Sequence, residues 1–83
     1  MIYSISILRS AQKELGKLPQ DIFKRVCDDI RYLAQNPRPI GCKKLIARKG
    51  WRIRVGSYRV IYEMDDKHKT VLILHIGHRR DIY

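Results

Sequence analysis

The chain has 83 residues, of which 18 are Lys or Arg and 8 are Asp or Glu, so its formal net charge at pH 7 is +10. This length allows one small domain with one core, which we assign to residues 1–83, and the positive charge is typical of proteins that bind nucleic acid or another acidic partner. No apolar run approaches the length of a membrane span and the chain opens without a signal sequence, so we expect no membrane association and a soluble, cytoplasmic protein.

The first segment predicts a strand followed by a short helix. In MIYSISIL, apolar side chains alternate with serines, which is the pattern of a half-buried strand. Ser10 is suited to be the N-cap of a helix that reaches about Lys17.

A second, longer helix is predicted to begin at Pro19, a residue suited to the first helical turn. Pro37 restricts the residue before it, so this helix must stop near Gln35-Asn36. The two helices therefore form a hairpin, joined by Leu18-Pro19, that covers a sheet. The apolar residues of the second helix follow the 3.6-residue spacing: Ile22, Phe23, Val26, Cys27, Ile30, Leu33 and Ala34.

Residues 51–83 predict a three-stranded antiparallel meander. Gly56-Ser57 suits a two-residue hairpin turn between the first two strands. The third strand is apolar on both sides, so we place it inside the sheet, with the N-terminal strand as a possible far neighbour. Together these elements predict an α+β fold in which one sheet packs on the helix hairpin. The strands are Trp51–Val55, Tyr58–Met64 and Thr70–Ile76.

The two-residue turn also sets the register, with Val55 opposite Tyr58 and Arg54 opposite Arg59. One face of the hairpin is then apolar, while Arg52, Arg54 and Arg59 share the other. Like charges directly opposite each other oppose pairing by a few tenths to about 1 kcal/mol, a cost most easily tolerated where a polyanion binds. With the GHRR segment that ends the last strand, these arginines favour a phosphate site over the alternative of a solvated basic face.

Further basic residues flank this face. The segment from Gly41 to Gly50 is predicted to be a connector that crosses the end of the sheet, with Leu45 buried. The acids of the Asp65–His68 loop are interpreted as turn residues and not as catalysts. The flanking basic residues either stay solvated or extend the phosphate path as RNA-binding residues: Lys43, Lys44, Arg48, Lys49 and Arg80.

No metal site and no cofactor are predicted. Cys27 and Cys42 have no CxxC spacing, and the three histidines, His68, His75 and His78, have no metal-ligand spacing. Cys27 is interpreted as a small core residue and Cys42 as a free thiol in a loop. His75 has the parity of the core-facing residues of its strand.

The order of elements and three segments resemble the RelE branch of the RelE/ParE toxin superfamily over essentially the whole chain. The segments are Lys44-Leu45 before the meander, GSYRVIY within it and IGHRRDIY at its end. The resemblance implies a RelE-like fold and a type II toxin–antitoxin component that cleaves messenger RNA in the ribosomal A site without a metal. The implied partners are the ribosome, messenger RNA and an acidic antitoxin protein, with no small-molecule cofactor.

The resemblance also assigns residues. The family's two basic residues on the first meander strand fall on Arg52 and Arg54, and its next strand arginine falls on Arg59. Its basic residue after the last strand falls on Arg79 and its C-terminal tyrosine on Tyr83. Well-known members carry lysines at the first two positions, where this chain has arginines.

In the implied reaction an RNA 2′-hydroxyl attacks the adjacent phosphorus, so the site must take a proton, stabilise a phosphorane and protonate the leaving 5′-oxygen. We assign Arg54 and Arg59 to the phosphate clamp and Arg79 to the leaving group. Tyr83 either stacks on a base or orients the phosphate, or else it packs on the sheet edge. Because arginine stays protonated at pH 7, the proton acceptor is either His78 or no strong base at all, with positioning and charge supplying the rate.

Two other functions remain open. One is a ParE-like inhibitor of DNA gyrase, which acts by binding and cleaves no RNA. The other is a plain RNA-binding module that uses the same basic face, for which binding weakens steeply with salt and no strand is cut.

Overall fold

A five-stranded mixed sheet with two helices packed on one face makes up the fold, and the computed structural model describes residues 2–46 and 48–78. The strand order is β1-β5-β4-β3-β2, with β1 parallel to β5 and the other pairs antiparallel. The predicted α+β class is confirmed, and the N-terminal strand lies beside the last one. In chain order the elements are β1 (Ser4–Ile7), α1 (Arg9–Gly16), α2 (Gln20–Leu33), β2 (Lys43–Lys44), β3 (Trp51–Val55), β4 (Tyr58–Asp65) and β5 (Thr70–His78).

The meander prediction needs one correction, because the sheet has an additional strand. Lys43 and Lys44, predicted to lie in a connector, form β2 and pair with Arg52 and Trp51 of β3. Two residues are too short a stretch to show the alternation by which a strand is recognised from sequence.

The helix hairpin differs from the prediction at its ends and at Phe23, which was placed on the apolar stripe of the second helix but is 40% exposed. Leu8 occupies the N-cap of α1 without a side-chain cap, so Ser10 lies inside the helix. Pro19 is the N-cap of α2, and this helix ends at Leu33, two residues before the predicted stop. Neither helix in the described ranges has both the length and the apolar character that a membrane span requires.

The hairpin register predicted from Gly56-Ser57 is confirmed, with Arg54 opposite Arg59. Gly56 has the positive φ, 61°, that a Gly-first turn uses.

The main core lies between the helices and the sheet. The buried members of this core are Tyr3, Ala11, Val26, Ile30, Leu33, Ile53, Val55, Val60, Tyr62, Val71, Ile73 and Ile76.

A second, smaller apolar cluster occupies part of the other sheet face, which the sequence predicted to be cationic. Leu45, Ile61 and Leu74 are buried together there. Gly50 allows the covering loop to close: its carbonyl accepts a hydrogen bond from the Leu45 N–H at 3.0 Å. A Cβ at Gly50 would lie 3.1 Å from the Tyr62 carbonyl oxygen, and the φ of 132° also favours glycine.

A β-bulge interrupts the ladder between β4 and β5. Ile61 lies opposite His75 and Tyr62 opposite Ile73, so Leu74 is the extra residue. The bulge reverses the parity of the later residues of β5: Ile76 is buried, while the His75 side chain is 44% exposed. The prediction of a core-facing His75 was wrong for this reason.

The loop after α2 is tied to the β4–β5 hairpin through Asp66. Arg38 donates to Asp66 at 2.7 Å and the Tyr3 hydroxyl donates at 2.6 Å. The hydrogen bond from Arg38, followed by that from Tyr3, lowers the pKa of Asp66 to about 2. Arg38 also lies over the Trp51 ring at 5.3 Å, so this turn acid has a structural role across the sheet end.

Candidate functional site

Basic side chains converge where β3, β4 and β5 meet near the Gly56-Ser57 turn. Arg54, Arg59 and Gly77 lie opposite one another across the three strands, and we call this row the arginine row. The next row toward the turn consists of Val55, Tyr58 and His78.

The predicted arginines do share one face, which we call the arginine face and define as Lys43, Arg52, Arg54 and Arg59. Alternation places Arg52 and Arg54 on the same side of β3, and Arg59 lies directly opposite Arg54. Lys43 joins them because it pairs with Arg52, whereas Lys44, one residue on, points to the other face. Arg54 and Lys43 are exposed, and Arg52 and Arg59 are half-buried.

The arginine face has the properties of an anion site. A small hollow of about 30 Å³ is lined by Arg54, Tyr58, Arg59 and the Gly56-Ser57 turn. In the described part of the chain, Arg52 and Arg54 make no side-chain hydrogen bond or ion pair, so their guanidinium donors can bind a phosphate. The Nε atom of Arg59 is shielded from solvent, where a charge interacts more strongly with a bound anion.

The register determines the sheet face on which the His78 side chain lies. His78 lies opposite Tyr58, so the two side chains share a face, and their rings meet edge to face at 5.5 Å and 81°. Tyr58 and Arg59 are adjacent on β4 and therefore point to opposite faces. The register thus brings the backbone of β5 to the arginine row but directs the His78 side chain away from it.

The remaining predicted site residues are spread out. Lys49 lines a separate cleft with Glu63 and Asp65, toward the opposite end of β4 from the Gly56-Ser57 turn. Arg48 is exposed in the loop between β2 and β3, which also carries Lys49. Three predicted residues lie outside the described ranges: Arg79, Arg80 and Tyr83.

Sequence reasoning missed a cleft of about 430 Å³ at the open edge of β3. The signals were present, because Tyr32 lies off the apolar stripe of α2 and Ile40 stands between a proline and a glycine; both are exposed. Across the described ranges no group of three His, Cys, Asp or Glu is placed to hold a metal ion. The cleft is lined by Asp29, Tyr32, Pro39, Ile40, Gly41, Lys43, Arg52, Ile53 and Arg54.

Comparison with known proteins identifies the family. A family model described as the ParE toxin of type II toxin–antitoxin system, parDE, matches residues 5–83. Toxin RelG of Mycobacterium tuberculosis is 36% identical over 87 residues, an alignment that covers 100% of this chain and 98% of RelG.

Solved structures agree with this match. The toxin–antitoxin complex RelBE2 of Mycobacterium tuberculosis contains a chain with a TM-score of 0.84 and 32% identity, covering 98% of this chain and 95% of that one. The archaeal RelE–RelB complex of Pyrococcus horikoshii OT3 contains one with a TM-score of 0.86 and 30% identity, covering 98% and 99%. The predicted resemblance is confirmed: the chain belongs to the ParE toxin family of type II toxin–antitoxin systems, within the RelE/ParE superfamily.

Proposed function

We propose that this toxin is an endoribonuclease that cleaves messenger RNA in the ribosomal A site, using the arginine face to bind the scissile phosphate. The observation that carries the proposal is the direct opposition of Arg54 and Arg59 on one sheet face. Two cations held opposite each other repel, and an anion bound between them attracts both and offsets that repulsion. Such an arrangement supports a function in which a phosphate is bound there.

The chemistry requires the site to stabilise charge that develops during the reaction. Attack by the 2′-hydroxyl adds negative charge to the phosphorus-bound oxygens. The bond between phosphorus and the 5′-oxygen then breaks, and the 5′-oxygen takes a proton as it leaves. Arg54 and Arg59 would donate hydrogen bonds to the phosphorane oxygens, and Arg52 would bind the neighbouring backbone. Arg79 stays our candidate for the leaving group and Tyr83 for base stacking, both by resemblance to the family.

The reaction must also remove the proton of the 2′-hydroxyl. Arginines stay protonated, and the His78 ring lies on the same face of the sheet as Tyr58, which is the face opposite to that of Arg59. Of the two mechanisms predicted from sequence, this placement favours the one without a strong base. Alignment of the 2′-hydroxyl and charge stabilisation then supply most of the rate.

We further propose that an acidic antitoxin protein binds this chain. The RelBE2 and archaeal structures are complexes with antitoxins, and the formal net charge of +10 complements an acidic partner. If the partner covers the arginine face, binding suppresses activity by excluding RNA. Co-expression with the adjacent reading frame tests the partner, because a neighbour that fails to co-purify contradicts this part of the proposal.

Inhibition of DNA gyrase is the second candidate, since the matching family model is that of the ParE toxin. Parallel assays of the purified chain separate the two functions: messenger RNA cleavage on programmed ribosomes, mapped by primer extension, and supercoiling by gyrase. We expect cleavage and unaffected supercoiling. Inhibited gyrase with intact RNA would establish the second candidate, and salt-sensitive RNA binding without scission would establish a plain binding module.

A matched pair of variants connects the activity to the arginine face. We expect Arg59→Ala to stay folded and to lower cleavage at saturation by roughly 10²-fold, the cost typical of losing one transition-state donor. Lys67→Ala removes the same charge from the exposed β4–β5 loop and should cleave like wild type. A folded, fully active Arg59→Ala protein would remove Arg59 from the mechanism.

A further inference from the structure

The end of β5 extends beyond its neighbour β1. The parallel pairing runs from Ser4 opposite Thr70 to Ile7 opposite Ile73, and the Leu8 N–H donates to the Ile73 carbonyl at 3.0 Å. Beyond this point β5 continues to His78 with β4 on one edge and, among the described residues, no strand on the other. Backbone groups on that edge need partners from elsewhere.

Glu14 of α1 supplies one of these partners. Its Oε1 atom accepts a hydrogen bond from the Ile76 N–H at 3.0 Å, in a partly buried position that joins residues 62 apart in sequence. The same oxygen lies 3.9 Å from Nδ1 of His75. Ile76 is buried in the main core, and Glu14 is the partner that the structure gives its N–H, so removal of the carboxylate takes away that hydrogen bond.

The segment that Glu14 holds borders the arginine row. Gly77 is the residue after Ile76 and lies directly opposite Arg59. Beyond the bulge at Leu74 the β4–β5 ladder resumes, from Ile61 opposite His75 to Tyr58 opposite His78, so β4 holds one edge of this segment. Glu14 holds the other edge through the Ile76 N–H, so the last residues of β5 are fixed relative to Arg59 from both sides.

We propose that Glu14 is a positioning residue for the arginine row: through the Ile76 N–H it holds the end of β5 against Arg59. The inference rests on the proposed RNA cleavage, because its consequence is a rate. A displacement of about 1 Å in a reacting geometry can lower a rate by about 10²-fold. Glu14 is remote from the arginine face in sequence and acts only through the strand end.

Two substitutions separate this role from the alternatives. Glu14→Gln removes the negative charge but retains a carbonyl oxygen that accepts the Ile76 N–H. Glu14→Ala removes the charge and the acceptor together. An electrostatic effect on anionic RNA predicts equal changes in both variants, whereas the positioning role predicts that only Glu14→Ala is impaired.

Cleavage is measured in single turnover on programmed ribosomes at saturating toxin, at a temperature where circular dichroism shows each variant fully folded. We expect Glu14→Ala to cleave about 10- to 100-fold more slowly than wild type and Glu14→Gln to stay within about twofold of it. Lys13→Ala, the exposed neighbour on α1, should match wild type. Equal rates in Glu14→Ala and wild type, or equal losses in Ala and Gln, would overturn the proposal.

Amide hydrogen exchange on the free toxin gives a second readout that needs no activity. Glu14→Ala should accelerate exchange at Ile76 and Gly77 by about tenfold or more, and leave residues 71–73 unchanged, while Glu14→Gln should behave like wild type. Unchanged exchange in Glu14→Ala overturns the proposal whatever the cleavage rate. A wild-type protein that cuts no RNA instead contradicts the proposed function, and the exchange data still decide whether Glu14 holds the strand end.

Discussion

Tyr62→Phe tests the buried anchor between the sheet and the loop after α2. Tyr62 is fully buried, and its hydroxyl donates to the Pro37 carbonyl at 2.7 Å. Burial raises the pKa of Tyr62 well above its ordinary value, so the hydroxyl stays a donor at all working pH values. Phe keeps the ring packing but leaves the Pro37 carbonyl without this donor, which costs about 1–3 kcal/mol.

The loss is large for a domain whose total stability is on the order of 4–12 kcal/mol. It corresponds to a fall in Tm of roughly 4–8 °C for each kcal/mol in a domain of this size. Urea unfolding at constant m measures the loss, and Tyr32→Phe is the matched control. Tyr32 is 52% exposed, so that variant should change stability by less than about 0.5 kcal/mol. A similarly small change in Tyr62→Phe would refute the proposed anchor.

Asp66, His78 and Arg54 each give a further prediction. Because the folded-state pKa of Asp66 is lowered from 3.8 to about 2, its contribution to stability is fully present above about pH 4 and lost as the pH falls toward 2. Asp66→Asn should flatten that part of the curve of urea midpoint against pH, and an unchanged curve would contradict the pairing with Arg38. His78→Gln should leave the single-turnover cleavage rate at saturation and its pH dependence within about threefold of wild type, whereas a pH-dependent loss of about 10²-fold would identify His78 as the base. Arg54→Ala should leave the free energy of unfolding unchanged or raise it by a few tenths of a kcal/mol, because it relieves the repulsion with Arg59; a loss above about 1 kcal/mol in urea unfolding would argue against that repulsion.

The arginine face was predictable because it depends on local rules. A two-residue Gly-Ser turn fixes which residues pair, and strand alternation then gives the side on which each arginine points. Arg54 therefore lies opposite Arg59, as the sequence predicts. The same kind of rule gave the core side of α2 through Val26, Ile30 and Leu33, whereas Phe23, also on the predicted stripe, is exposed.

The predictions fail where one extra residue reverses the alternation of a strand, or where a contact joins segments that are distant in sequence. The bulge at Leu74 cannot be read from a strand that is apolar on both sides, and it alone exposes His75. The hydrogen bond between Glu14 and the Ile76 N–H joins residues 62 apart in sequence, so no local sequence pattern predicts it.

The chemistry of the RNA ends tests the central claim most directly. Programmed ribosomes are incubated with the purified chain, and the ends of the A-site fragments are identified by mass spectrometry. Attack by the 2′-hydroxyl leaves a 2′,3′-cyclic phosphate on the upstream fragment and a 5′-hydroxyl on the downstream one, which is the result we predict for wild type. Intact messenger RNA, or fragments with a 3′-hydroxyl and a 5′-phosphate, would contradict it.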